Sequence, residues 1–104
     1  MGSKLVRDKI VEIIEKSGKD CTFRVLDNDE EYENALKRKL SEEIGEFFEN
    51  PCEEELADIY EVLEALAQFH SVDLYDTEST RQAKKSGHGG FMQRVFLEEV
   101  SEQV

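Results

Sequence analysis

The sequence predicts an all-α fold, and three observations carry that expectation. Apolar residues recur at helical spacing in two long stretches: Tyr32, Leu36, Leu40, Ile44 and Phe47 in the first, then Leu56, Ile59, Tyr60, Leu63, Leu66 and Ala67 in the second. The chain has no Trp and a single proline, Pro51, which suits helices better than a turn-rich β protein. Glycines then punctuate the pattern where helices should stop, at Gly18 and across Gly87-His88-Gly89-Gly90.

The first helix is expected over residues 4–17, where Leu5, Val6, Ile10, Ile13 and Ile14 fall close to helical spacing and Gly18 supplies the stop. Residues 21–26 alternate, with Cys21, Phe23 and Val25 set against Thr22, Arg24 and Leu26, the pattern of a short strand. Asp27 or Asn28 can cap the second helix, which runs to about residue 50. The turn is Asn50-Pro51-Cys52, and Pro51 either ends one helix or opens the next. Glu53 to Glu55 favour a helix N-terminus through the dipole, so the third helix is expected over residues 53–70. A weaker fourth helix is expected over residues 73–86, before the glycines. The tail 91–104 reads as a short strand at 94–97 or as another helix. The sum is a bundle of about four helices built around an antiparallel hairpin, with at most one short β pair. One hundred and four residues without repeats, linkers or low-complexity segments make a single domain, 1–104.

Thirteen basic residues against twenty-five acidic ones leave a net charge of −12. That argues against a nucleic-acid duplex or an anionic membrane surface as partner, since both need clustered Lys and Arg. An acidic protein can still bind a polyanion when a divalent cation stands between them. Cys21 and Cys52 form no disulfide framework and no metal-binding spacing, which fits free thiols in a reducing cytosol. The first four residues lack an apolar signal region and no apolar run approaches ~18 residues, so a cytoplasmic setting is expected. A chain this small and polar buries a limited core, and a partner subunit is expected to add to it.

Two acidic pairs stand out, Glu43 with Glu46 and Glu55 with Asp58, each spaced i, i+3. Spacing alone says little, because such pairs arise by chance in an acidic chain and most are solvated helix faces. Position on the helical wheel is more telling. At ~100° per residue, Glu43 falls inside the stripe of Leu36, Leu40, Ile44 and Phe47, with Glu46 at its edge beside Lys39. Glu55 lies near Val62 and Leu66, and Asp58 near Val62 and Phe69, whereas Glu42, Glu61 and Glu64 point away. If the helices fold back at Asn50-Pro51, Glu46 faces Glu55 and Glu43 faces Asp58 at matching heights. Gathered carboxylates repel and raise one another's pKa, and a divalent cation removes that cost. Oxygen-only ligands select Mg²⁺ or Mn²⁺ over zinc. The competing structural reading is an interhelical network with Lys39 or Arg38.

The stretch Lys39-Leu40-Ser41-Glu42-Glu43-Ile44-Gly45-Glu46-Phe47, followed by Glu54-Glu55-Leu56-Ala57-Asp58-Ile59-Tyr60-Glu61, resembles the E-x-x-E plus E-x-x-D signature of the MazG-like all-α nucleoside triphosphate pyrophosphatases. The opening Lys4-Leu5-Val6-Arg7-Asp8-Lys9-Ile10 and the late Gly89-Gly90-Phe91 are similar to a short, phosphoribosyl-ATP pyrophosphohydrolase-like subgroup. Val11 stands where that subgroup usually has Pro, and His88 where Arg is common. The resemblance implies a helical bundle that pairs as a homodimer or higher homo-oligomer. It also implies cleavage of a nucleotide substrate between the α and β phosphates, giving a monophosphate and pyrophosphate.

On this reading Glu43, Glu46, Glu55 and Asp58 hold Mg²⁺ or Mn²⁺, and a carboxylate takes the proton of the attacking water, with Glu43, Glu46 and Glu42 as candidates. Lys39 can reach a phosphate oxygen or pair with Glu43 or Glu42. Arg81, Lys84 and Lys85 are the densest basic group, and they precede glycines whose amides can approach phosphates, Gly89 and Gly90 among them. Arg94 is a further substrate-binding candidate. Arg7 and Lys9 fit surface or interface roles equally well. His70 reads as a packed helix-end residue, and Phe47, Phe48, Tyr60 and Phe69 as core. Three functions remain open: a Mg²⁺-dependent pyrophosphohydrolase acting on non-standard nucleotides, a phosphoribosyl-ATP pyrophosphohydrolase, and a non-catalytic helical interaction module.

Overall fold

The computed structural model describes residues 3–101. They form four helices, α1 (Ile10–Lys16), α2 (Asp29–Glu49), α3 (Glu53–Phe69) and α4 (Leu74–His88), and no strand, so the architecture is all-α. The chain divides into two compact units, one ending at Val72 and the other beginning at Asp73.

The first unit is organised by the α2–α3 hairpin. Of the two candidate caps for α2, Asn28 takes the role: its side chain accepts a hydrogen bond from the Glu31 N–H at 2.9 Å. Asp29, Glu30 and Glu31 place negative charge in the first turn, where the dipole favours it. Only Asn50, Pro51 and Cys52 separate α2 from α3, and Pro51 lies outside both helices. So short a link turns the chain back on itself. The Tyr32 ring meets the Phe69 ring edge-on at 5.7 Å, and Glu33 lies 3.6 Å from His70, so the start of α2 touches the end of α3. The helices are therefore antiparallel, and Tyr32 and Phe69 are mirror positions about Asn50-Pro51, as are Glu43 with Asp58 and Glu46 with Glu55.

The core is thin. Leu36 and Val62 are its buried apolar side chains. On α2 the expected stripe points inward, with Tyr32, Leu40, Ile44 and Phe47 half-buried around Leu36. On α3 the expected stripe splits, with Ile59, Leu66 and Ala67 half-buried and the other half outward. The packed face carries Val62 with Ile59, Leu66 and Phe69, while Leu56, Leu63 and Tyr60, the last 66% accessible, face outward. Apolar residues cover much of the α3 circumference, so two overlapping stripes exist, and the register against α2 selects one. Phe48 and Tyr60 are consequently exposed rather than core, and His70 is an exposed C-cap stacked edge-on against Phe69.

Three other expectations are corrected. The helix expected over 4–17 occupies only Ile10–Lys16, because Lys4 and Arg7 turn their side chains toward α2 and α3 instead. Its C-terminus is as expected: Gly18 at φ 86° donates to the Glu15 carbonyl, and Lys19 donates to that of Ile14. Residues 21–26 form no strand, since an isolated strand has no ladder partner to satisfy it and none exists among the described residues. Residues 94–97 are likewise neither strand nor helix, and a single turn, the Arg94 N–H on the Phe91 carbonyl at 3.2 Å, is their local order. The part of the tail beyond residue 101 lies outside the described residues.

The second unit is α4 and this tail. Asp73 caps α4 by accepting from the Asp76 N–H at 2.9 Å. The helix runs through Gly87 and His88, two residues past the expected end, and stops at Gly89, whose φ of 85° is open to glycine at no cost.

Two stability outcomes follow from this packing. Leu36→Ala should cost about 3 kcal/mol by loss of buried area and a residual cavity, while Tyr60→Ala should cost less than about 1 kcal/mol, both read from urea unfolding. Ser71 closes α3 at φ 57°, with the next residue, Val72, donating to the Ala67 carbonyl at 2.8 Å. Glycine is the residue suited to that position, so Ser71→Gly should gain about 0.5–1 kcal/mol, seen as a higher Tm.

Candidate metal centre

The hairpin register brings Glu43 of α2 against Glu55 and Asp58 of α3. One oxygen from each lies within 4.8 Å of the other two. Glu43 is only 5% accessible, an unusual place for a carboxylate. Its Oε1 pairs with the Lys39 ammonium at 3.1 Å, but its Oε2 is buried with no partner among the described residues. The Oε2 of Glu55 is in the same condition. A buried acceptor without a donor is costly, and Glu43 and Glu55 each carry one.

Electrostatics agree with the geometry. Burial pushes the Glu55 carboxyl above the ordinary carboxylate range, and the charges of Glu46, Asp58 and Glu43 push it further. Burial pulls the Lys39 ammonium down, but Glu43 and Glu42 outweigh it and leave the group above its usual value. Two cations thus partly offset the acids: Lys39 from within α2, and Arg7, whose Nη2 lies 2.8 Å from Asp58 Oδ1.

The donor set fits a hard divalent ion. All the candidate ligands are carboxylate oxygens, the donor type that hard divalent ions such as Mg²⁺ and Mn²⁺ prefer.

The remaining candidates divide. Glu46 is exposed and stands outside the trio, beside Glu55. Glu42 is half-buried and paired with both Lys4 and Lys39 at 3.5 Å, not solvated as its wheel position suggested. Arg38 is exposed. The contact that the sequence did not disclose is Arg7 with Asp58, across 51 positions, for which no local pattern gives a signal. In the second unit, Lys85, Gly89, Gly90 and Arg94 line one open pocket of about 450 Å³ together with His88. Lys84 is exposed and does not line it, and Arg81 is bound to Glu78 at 2.8 Å.

No family model, curated protein or solved structure matches this chain. No helix among the described residues is long and apolar enough to cross a membrane.

Because the folded Glu55 carboxyl is raised, its charged form weakens the fold, and that penalty fades as pH falls toward the raised value. The metal-free Tm should therefore rise as pH is lowered from neutral toward the raised value, before the other carboxylates protonate. Glu55→Gln should raise the metal-free Tm at pH 8 and flatten the profile. Mg²⁺ should stabilise the wild type at pH 8 but not this variant. A Glu55→Gln protein that melts lower than wild type without metal would contradict the repulsion.

Proposed function

We propose that the chain is a Mg²⁺-dependent nucleoside triphosphate pyrophosphohydrolase of the MazG-like kind, splitting the α–β phosphoanhydride to give a monophosphate and pyrophosphate. The observation that carries this reading is Glu43: buried, half-unpartnered, and set against Glu55 and Asp58 on the facing helix. The paired acidic motifs on which these residues lie supply the resemblance to that group, and a phosphate chain is a ligand that an acidic protein binds through such a centre.

In this reading Glu43, Glu55 and Asp58 hold the ion, with Glu46 as the fourth carboxylate at the lip. Bound Mg²⁺, or Mn²⁺ in its place, supplies positive charge and Lewis acidity to the phosphate chain. Lys39 keeps the Glu43 carboxylate oriented by pairing with its Oε1. Glu46, exposed and without a cation among its contacts, is the carboxylate best suited to accept the proton of an attacking water. In the second unit, the cations Lys85 and Arg94 and the amides of Gly89 and Gly90 form a surface suited to phosphate. The outward apolar face of Leu56, Tyr60 and Leu63 suits coverage by a second copy of the chain. Two free thiols and the lack of a spanning helix among the described residues fit a cytoplasmic enzyme that clears non-standard nucleotides.

The test is pyrophosphate release from a panel of canonical and modified nucleoside triphosphates, with and without Mg²⁺. At least one nucleotide should yield monophosphate and pyrophosphate only when Mg²⁺ is present. Glu43→Gln should lower that rate by more than about 100-fold, since even outer-shell changes at metal sites reach 10–100-fold. Inert nucleotides together with a Tm indifferent to Mg²⁺ would leave a helical interaction module as the function.

A further inference from the structure

We propose that Arg7 is a substrate-binding residue parked on the metal centre: its guanidinium holds Asp58 while the acidic cluster lacks a divalent ion, and turns to a phosphate chain once that ion is bound. The inference rests on the reading of Glu43, Glu55 and Asp58 as a metal centre.

Lys39 is the cation that sequence spacing nominates for phosphate, yet its placement commits it elsewhere. Its side chain is 17% accessible and its ammonium is shared between Glu43 at 3.1 Å and Glu42 at 3.5 Å. Arg7 differs on each count. Its side chain is 52% accessible and, among the described residues, its close partner is Asp58 at 2.8 Å. The charges facing it are Asp58, Glu61 and Glu43, all acidic, and together they hold the guanidinium charged. These are the charges that a divalent ion would neutralise, apart from Glu61, which is exposed and screened by water. A divalent ion shared by Glu43, Glu55 and Asp58 would take over much of the negative charge that now holds Arg7, which weakens that hold and leaves the guanidinium able to turn to an anion.

The backbone permits the exchange. The Arg7 carbonyl accepts from the Ile10 N–H at 3.1 Å, which fixes the residue at the entrance to α1. Lys4, three residues earlier, is tied to Glu42 of α2 at 3.5 Å. With its carbonyl bonded at the entrance to α1, Arg7 can leave Asp58 by side-chain rotation and stay near the centre. Its planar fork matches two phosphate oxygens, which an ammonium cannot do.

The experiment compares the wild type, Arg7→Gln and Arg7→Lys as full chains stripped of metal. Mn²⁺ affinity is measured first, then the affinity of inorganic tripolyphosphate at saturating Mn²⁺. Arg7→Gln should bind Mn²⁺ about two- to fivefold more tightly, because a competitor of surface-pair strength is gone. It should bind tripolyphosphate at least about tenfold more weakly, the loss expected of a charged hydrogen bond. Arg7→Lys keeps the charge without the fork, so its Mn²⁺ affinity should match wild type and its tripolyphosphate affinity should fall between the other two. Weaker Mn²⁺ binding by Arg7→Gln would mean that Arg7 supports Asp58 as a ligand, and unchanged tripolyphosphate affinity would mean that it never meets phosphate. Either result overturns the proposal while leaving the metal centre intact. A wild type that binds no Mn²⁺ overturns the metal centre and this proposal together.

Discussion

The pairing of α2 with α3 places like charges where a helical hairpin would ordinarily place a core. A link of three residues fixes the register, and the Tyr32–Phe69 contact closes its far end. Between those two constraints Glu43, Glu55 and Asp58 are brought together whether or not their mutual repulsion favours it. A shift of one residue in either helix would swing a carboxylate by ~100° and disperse the cluster. The repulsion is thus held in place by the packing around it, which is how strained charge constellations persist in folded proteins.

Compensation for that repulsion comes from two cations of different character. Lys39 belongs to the same helix as Glu43, so its position is as fixed as the acid it serves. Arg7 arrives from outside the hairpin and remains half in solvent. Neither reaches the second oxygens of Glu43 and Glu55, which stay buried and unpartnered. The centre is therefore balanced in part, and the residual negative potential is concentrated on side chains that are partly shielded from water. In low dielectric such a potential is more strongly felt by a small cation than the same charges would be on an open helix face.

Much of this was legible before any coordinates, and the failures share a cause. The helix class, the Asn50-Pro51-Cys52 turn and the inward heading of Glu43 follow from periodicity, which is a local property. On α3 periodicity places Ile59, Leu66 and Ala67 correctly but not Leu56, Tyr60 and Leu63, because these repeat as regularly as Val62, Leu66 and Phe69 and only the partner helix chooses between the two faces. The strands at 21–26 and 94–97 have alternation but no neighbour to pair with. For Arg7 no local pattern chooses between a surface and an interface role, because its partner lies 51 positions away. Glu46 shares the motif of Glu43 yet sits one position-class further round the helix, enough to leave it exposed.

The thinness of the core has a thermodynamic side. With Leu36 and Val62 as the buried apolar side chains among the described residues and the other apolar residues half-buried or exposed, unfolding a single chain uncovers little new apolar surface. Heat capacity change and denaturant sensitivity both scale with that surface. An isolated chain should accordingly show a shallow, broad unfolding transition and a stability curve that varies little with temperature, so that anything covering the outward face of α3 would also sharpen its melting.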